Sequence, residues 1–217
     1  MKKFIYSFSL MVVLSTLFAC NNNDAPAIEE KPLPVYSYFR GYLNNEYINI
    51  EQNTVWDDRI FLQKTASMED TIFLFNWYVN FAEDFNNAEE LHHAPMLTIQ
   101  LAPLRMGQYN ITSGITYNGE TAIYLGKNGT IKYIPNPKHP FKLYLNDIYK
   151  TSPHSNNPCI SGTMEGVLYN SLNPNDSIVY HNVEFRRVSN YVIRHIYDKL
   201  LIDMIMTSNM LCKVQDL

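Results

Sequence analysis

Ala122-Ile123-Tyr124-Leu125-Gly126-Lys127-Asn128-Gly129-Thr130-Ile131-Lys132-Tyr133-Ile134 is the stretch whose reading decides the fold. Asparagine followed by glycine tolerates φ > 0 at both central positions of a two-residue turn, and the flanking runs alternate apolar with polar residues. Period two sends successive side chains to opposite faces of a strand, so Ile123, Leu125, Ile131 and Tyr133 share one buried face. A slip of one residue would turn that whole set toward solvent, which pins the register. The stretch predicts a hairpin with arms Ala122–Leu125 and Thr130–Ile134.

The same pattern extends outward in both directions. Tyr36–Leu43 and Glu46–Glu51 flank Asn44-Asn45, a second two-residue turn of residues that accept φ > 0. Arg59–Thr65, Thr71–Phe81, Met96–Leu101 and Gly107–Ile111 read as strands before the central hairpin; Phe141–Leu145, Ile160–Tyr169 and Ser177–Arg187 follow it. The last two are separated by Leu172-Asn173-Pro174-Asn175-Asp176, a proline turn. In Thr71–Phe81 the residues Phe73, Phe75, Trp77, Val79 and Phe81 alternate as an inward face, which makes Trp77 core. Gly41, Gly162 and Gly166 are isolated within strand patterns and mark bulges. About ten strands without a 20-to-50-residue repeat predict an all-β, mainly antiparallel fold, a β-sandwich or partly open barrel.

The chain ends differently. Ile193, Ile196, Tyr197, Leu200, Leu201 and Met204 recur at helical spacing, with Arg194, His195, Asp198 and Asp203 on the opposite side, so Asn190–Met206 reads as a C-terminal amphipathic helix. Its apolar stripe needs a cover, and the domain's own sheet is the first expectation. The predicted organisation is a signal peptide over 1–19, a tether over 20–34, a β domain over 35–187 and a helical segment over 188–217. The tether Asn21–Pro34 is polar and proline-bearing, a composition that builds no packed core.

Composition limits the partners. The chain carries 17 basic and 21 acidic residues; without Lys2 and Lys3 there are 15 against 21, a net charge of −6. That charge opposes nucleic acid as a partner. The sequence offers no serine elbow of the G-x-S-x-G type and no H-E-x-x-H, and it predicts no metal and no cofactor. Glu89, Glu90, His92 and His93 read as a solvated loop ending at Pro95. Cys159 shows no activating base nearby, and with Cys212 it forms either a disulfide or two unpaired thiols. Asp57, Asp58, Glu83, Asp84, Glu165 and Glu184 are the acids from which a glycoside hydrolase would draw two converging carboxylates.

Aromatic binding carries more weight. Sugar rings stack their C–H faces on Trp and Tyr while neighbouring acids accept hydroxyl protons, and Trp56-Asp57-Asp58-Arg59 has that mixture just before a strand. Trp56, Asp57 and Asp58 are therefore the ligand-binding candidates. The expectation is a noncatalytic binding or assembly module; the alternatives are the hydrolase and a lipid-binding barrel, which would need a deep apolar cavity.

Two resemblances add an address. Leu17-Phe18-Ala19-Cys20 closes an apolar run that starts after Lys2-Lys3, and it resembles a bacterial lipobox. The resemblance implies cleavage before Cys20, a diacylglycerol thioether and an N-acyl chain such as palmitate on that cysteine, and two-chain anchoring in a membrane. Phe39-Arg40-Gly41-Tyr42-Leu43-Asn44-Asn45-Glu46-Tyr47-Ile48 and Ile160-Ser161-Gly162-Thr163-Met164-Glu165-Gly166-Val167-Leu168-Tyr169-Asn170, with Asn173–Ile178, resemble small Bacteroidetes-type cell-envelope lipoproteins of unknown function. That likeness implies a place in the cell envelope at the outer membrane, with an envelope protein or glycan as partner, and it carries no catalytic residues. Asp70-Thr71-Ile72 and Asp176-Ser177-Ile178 resemble the three-residue O-glycosylation signal of such bacteria, making Thr71 and Ser177 modification candidates.

Overall fold

The computed structural model describes residues 36–54, 56–68, 71–114, 119–127, 130–150 and 157–189. The signal segment, the tether, Cys20, the Asn128-Gly129 turn, Cys212 and the amphipathic segment from Asn190 lie outside the described residues.

Among the described residues eleven strands and one short helix follow in order: β1 (Ser37–Leu43), β2 (Glu46–Gln52), β3 (Ile60–Met68), β4 (Thr71–Asn80), α1 (Ala88–His93), β5 (Met96–Leu101), β6 (Gly107–Ile111), β7 (Ala122–Lys127), β8 (Ile131–Pro135), β9 (Phe141–Tyr149), β10 (Cys159–Asn170) and β11 (Ser177–Arg187). Every run read as a strand from the sequence is a strand, and all strand pairs are antiparallel. The β1–β2 turn has Asn44 and Asn45 at φ 49° and 68°, the left-handed pair that a two-residue turn demands. The Asn44 side chain then accepts from the Val179 amide at 2.9 Å, tying the turn to β11. In the β7–β8 hairpin Leu125 pairs with Tyr133, and both are buried.

Hydrogen bonding runs β2-β1-β11-β10-β8-β7-β5-β4-β3, a nearly closed, barrel-like sheet in which β1 and β3 approach each other. β10 is long enough to fork: its first half, Cys159–Glu165, pairs with β9, and Leu168–Asn170 pairs with β8. β9 in turn carries β6.

Inward-facing side chains fill the interior. Trp77 on β4 meets Phe185 on β11 with ring centroids 5.2 Å apart, Phe39 meets Phe81 at 5.7 Å, and Phe141 meets Tyr180 at 5.4 Å. Fully burying each such ring contributes about 1.5–3 kcal/mol. The alternation predicted for β4 holds at Phe75, Trp77 and Val79 but fails at Phe73, which is exposed. The ladder gives the reason: Ala66 pairs with Leu74 and Ser67 with Ile72, so Phe73 is the extra residue of a bulge and the facing parity flips there.

The isolated glycines mark bulges, as expected. Along β11 two residues oppose one on each side: Arg40 and Tyr42 pair with Glu184 and His181, leaving Val183 and Asn182 against Gly41, and Met164 and Gly166 pair with Val183 and Tyr180, leaving Asn182 and His181 against Glu165. Asn182 takes the left-handed conformation, φ 50°, in this bulge. Gly41 beside it has φ 153°, and a Cβ there would lie 2.6 Å from the Val183 Cα. Such bulges increase local bending and twist, and this one runs through three neighbouring strands.

Candidate functional site

The bulged wall carries a groove on its outer side with a volume of about 570 Å³, lined by residues of β6, β9, β10 and β11. A cross-strand row supplies part of its lining and continues one strand beyond it. Gln108 pairs with Tyr144, Tyr144 with Thr163, Thr163 with Glu184 and Glu184 with Arg40, so five strands place one side chain each side by side. These outward positions are exposed, Tyr144 at 49%. A second row, Asn110, Lys142 and Glu165, runs parallel to it.

Charges in and beside the groove are matched in pairs. The Arg40 guanidinium donates to Glu184 Oε2 from Nε at 3.2 Å and from Nη2 at 3.0 Å, and it lies 4.5 Å from the centroid of the Tyr38 ring. The hydrogen bond to Glu184 raises the Arg40 pKa. Lys142 Nζ donates to Glu165 Oε1 at 3.2 Å, and Gln108 Nε2 donates to Asn110 Oδ1 at 2.7 Å. The result is a surface of amides, hydroxyls and one tyrosine ring, with its ions already compensated. Sequence reasoning missed it as a site because Gln108, Tyr144, Thr163, Glu184 and Arg40 are far apart along the chain and only register unites them. The signals available beforehand were Gly41, Gly162 and Gly166.

The sequence-derived candidates sit elsewhere, on the loop from β2 to β3. Trp56 is 69% exposed, an accessible aromatic platform. Asp57 is a correction: its side chain is fully buried, and both carboxylate oxygens are taken by Arg59, through Nε to Oδ1 at 3.0 Å and Nη2 to Oδ2 at 2.8 Å. Its carbonyl accepts from Gln52 Nε2 at 2.6 Å. Asp57 therefore holds the loop's shape and presents nothing to a ligand. Arg59 extends the clamp by donating to the Glu51 and Ala82 carbonyls and by lying over the Phe85 ring. Asp58 is exposed; partial desolvation, and then the charge of Asp57, raise its carboxyl pKa. Burial, and then Asp58, push up the phenol of Tyr78.

The other candidates scatter. His92 and His93 belong to α1 rather than to a loop, because Asn87 caps that turn by accepting from the Glu89 and Glu90 amides. Among the described residues no three His, Cys, Asp or Glu side chains converge. Cys159 accepts from the Ser189 amide at 3.3 Å beside buried Tyr36 and Val188. Next to it Arg187 is buried, donates to the Pro158 carbonyl and Asn157 Oδ1, and has its pKa lowered to about 10 by that burial. Thr71 is exposed at the start of β4, and Ser177 is half-buried at the start of β11. Asp176 before it is fixed by Asn170 Nδ2 at 2.8 Å and the Tyr133 hydroxyl at 2.7 Å, which lower its pKa.

Residues 36–187 match the sequence profile described as Domain of unknown function (DUF5025). The chain belongs to this family. The DUF5025 match begins just before β1 and ends with the last residue of β11, so it spans the whole described sheet, groove and rim loop included. No curated protein and no solved structure matches the chain.

Proposed function

We propose that this DUF5025 protein is a noncatalytic glycan-binding component of the bacterial cell envelope, held at the outer membrane through lipid on Cys20. The observation that carries the binding role is the row Gln108, Tyr144, Thr163 and Glu184, which lines a groove with an accessible ring in it, Arg40 continuing the row beside it. Amides, hydroxyls and a tyrosine ring are the groups that take the hydroxyls and C–H faces of a saccharide. Trp56, on the β2–β3 loop away from the groove, is a separate accessible platform. The anchor rests on the lipobox, and O-glycosylation at Thr71 and Ser177 on the two tripeptide signals. An envelope protein docking on the same face is the competing partner.

A hydrolase is less well supported. Glu165 and Glu184 do share the groove, but each side chain is more than half exposed and already engaged by a cation, Lys142 and Arg40 respectively. A glycoside hydrolase needs two carboxyl groups free to converge on one bond, and neither of these is free. For a lipid carrier, the Trp77–Phe185 and Phe141–Tyr180 contacts occupy the interior that a lipid would need.

The test is in-cell crosslinking of the anchored protein, followed by mass spectrometry of the co-purifying protein and saccharide, with Cys20→Ala and Tyr144→Ala as controls. Saccharide enriched over the Cys20→Ala control and reduced in Tyr144→Ala supports the proposal. Equal recovery from all three, or recovery of protein alone, contradicts it.

A further inference from the structure

Beside the groove the same outer face carries a strip of exposed rings. Tyr47 on β2 pairs with Tyr42 on β1, and Tyr42 pairs with His181 on β11, so three adjacent strands each bring one ring to the surface. The Tyr42 and Tyr47 ring centroids are 5.4 Å apart, and those of Tyr42 and His181 are 6.2 Å apart. Both tyrosines are open to water, Tyr42 at 40% and Tyr47 at 55%. Alternation explains the placement, because Ser37, Phe39 and Gly41 turn inward on β1 while Arg40 and Tyr42 face out. On the opposite wall the outward positions Asn76, Thr98 and Gln100 of β4 and β5 are all buried.

The bulge joins this strip to the groove. Left-handed Asn182 interrupts the alternation of β11, so the consecutive residues His181 and Asn182 are both exposed. Asn182 Nδ2 lies 3.1 Å from His181 Nε2, and Asn182 also lines the groove. Cross-strand aromatic pairs contribute to sheet stability wherever they sit. Here the rings are exposed as well, and they adjoin a groove that holds a third exposed ring, Tyr144.

We infer that Tyr42, Tyr47 and His181 form a second stacking subsite continuous with the groove, and that the ligand is a linear, uncharged oligosaccharide long enough to cover both; the inference rests on the glycan reading of the groove. Three strand spacings and two residues along β1 separate Tyr144 from Tyr42, about 15 Å. A pyranose unit lengthens a linear chain by about one strand spacing, so about four units are needed to lie on both rings. Charge selects against acidic sugars. Lys142 and Arg40 are already paired with Glu165 and Glu184, so a carboxylated or sulfated unit would have to break an ion pair to find a cation there.

The test is frontal affinity chromatography on the immobilised full chain in detergent, with oligosaccharides released from the envelope of its source cells, labelled at the reducing end and sorted by length and charge. Neutral fractions of about four units or more should be retained about tenfold more strongly than disaccharides. Tyr42→Ala with Tyr47→Ala should remove that gain and leave disaccharide retention unchanged. Tyr42→Phe with Tyr47→Phe, which keeps both rings, should keep the gain. Retention that needs Tyr144 but is indifferent to length and to the paired alanine substitutions overturns the inference and leaves the groove reading standing. A preference for acidic fractions, or a gain lost equally in the phenylalanine pair, overturns it in the same way. No retention of any fraction by the native chain overturns both.

Discussion

The two outer faces of this barrel differ although one chain pattern encodes both. On the β6-β9-β10-β11-β1 wall, outward positions hold exposed polar side chains and compensated ion pairs around a groove. On the β3-β4-β5-β7 wall, they hold half-buried aromatics and unpartnered polar atoms. Period-two alternation tells which residues face the barrel interior, but the outward set has two fates, and what each lies against decides between them. The first face has the properties of a ligand surface, the second those of a packing surface.

Backbone contacts give the sharpest contrast. A Cβ on Gly162 would lie 2.1 Å from the Tyr144 carbonyl oxygen and 2.8 Å from Phe185 Cζ, whereas one on Gly126 meets nothing closer than 3.9 Å. Gly162→Ala is expected to destabilise by about 3 kcal/mol or more, and Gly126→Ala by less than about 0.5 kcal/mol, in urea unfolding. Equal effects would mean that the bulged wall is not built as described.

The ion pairs separate a clamp from a surface. Asp57→Ala strands the largely buried Arg59 and should cost about 3 kcal/mol, with a change in Trp56 emission reporting the loosened loop. Arg40→Met breaks an exposed pair and should cost less than about 0.5 kcal/mol, a difference that vanishes in high salt.

Threonine on each face sharpens the comparison further. Thr98→Val removes an unpartnered buried hydroxyl and is expected to stabilise by about 1 kcal/mol, while exposed Thr163→Val changes stability little. A loss at Thr98 would show that its hydroxyl is satisfied and that the face is open to water.

The smallest effect lies on the rim. Because the Asp58 carboxyl is raised in the folded protein, folding favours its protonated form, so stability falls as pH rises from the ordinary Asp value near 3.9 through the higher folded value. Asp58→Asn should flatten that slope and leave the protein slightly more stable at neutral pH, as read from thermal unfolding between pH 3 and 7.

The strands were legible because Asn44-Asn45 and alternating apolar residues act locally. Trp77 was readable as core and the three glycines as bulges for the same reason. Phe73 was misread because its parity flip depends on pairing with β3, which no local pattern states. Asp57 looked like a ligand contact beside Trp56; its burial follows from Arg59 folding back over it, a contact that sequence distance does not distinguish from a solvated pair. The groove was not legible at all, since it exists only through the register of β6, β9, β10, β11 and β1. The family match spans these same strands but assigns them no chemistry.

Glycan binding in the groove is tested most directly by isothermal titration of the full chain in micelles with oligosaccharides released from the envelope of its own source cells, repeated with Tyr144→Ala and Trp56→Ala. Saturable binding that weakens about tenfold or more in Tyr144→Ala is the predicted result. Binding untouched by Tyr144→Ala, or no binding by the native chain, would contradict the account.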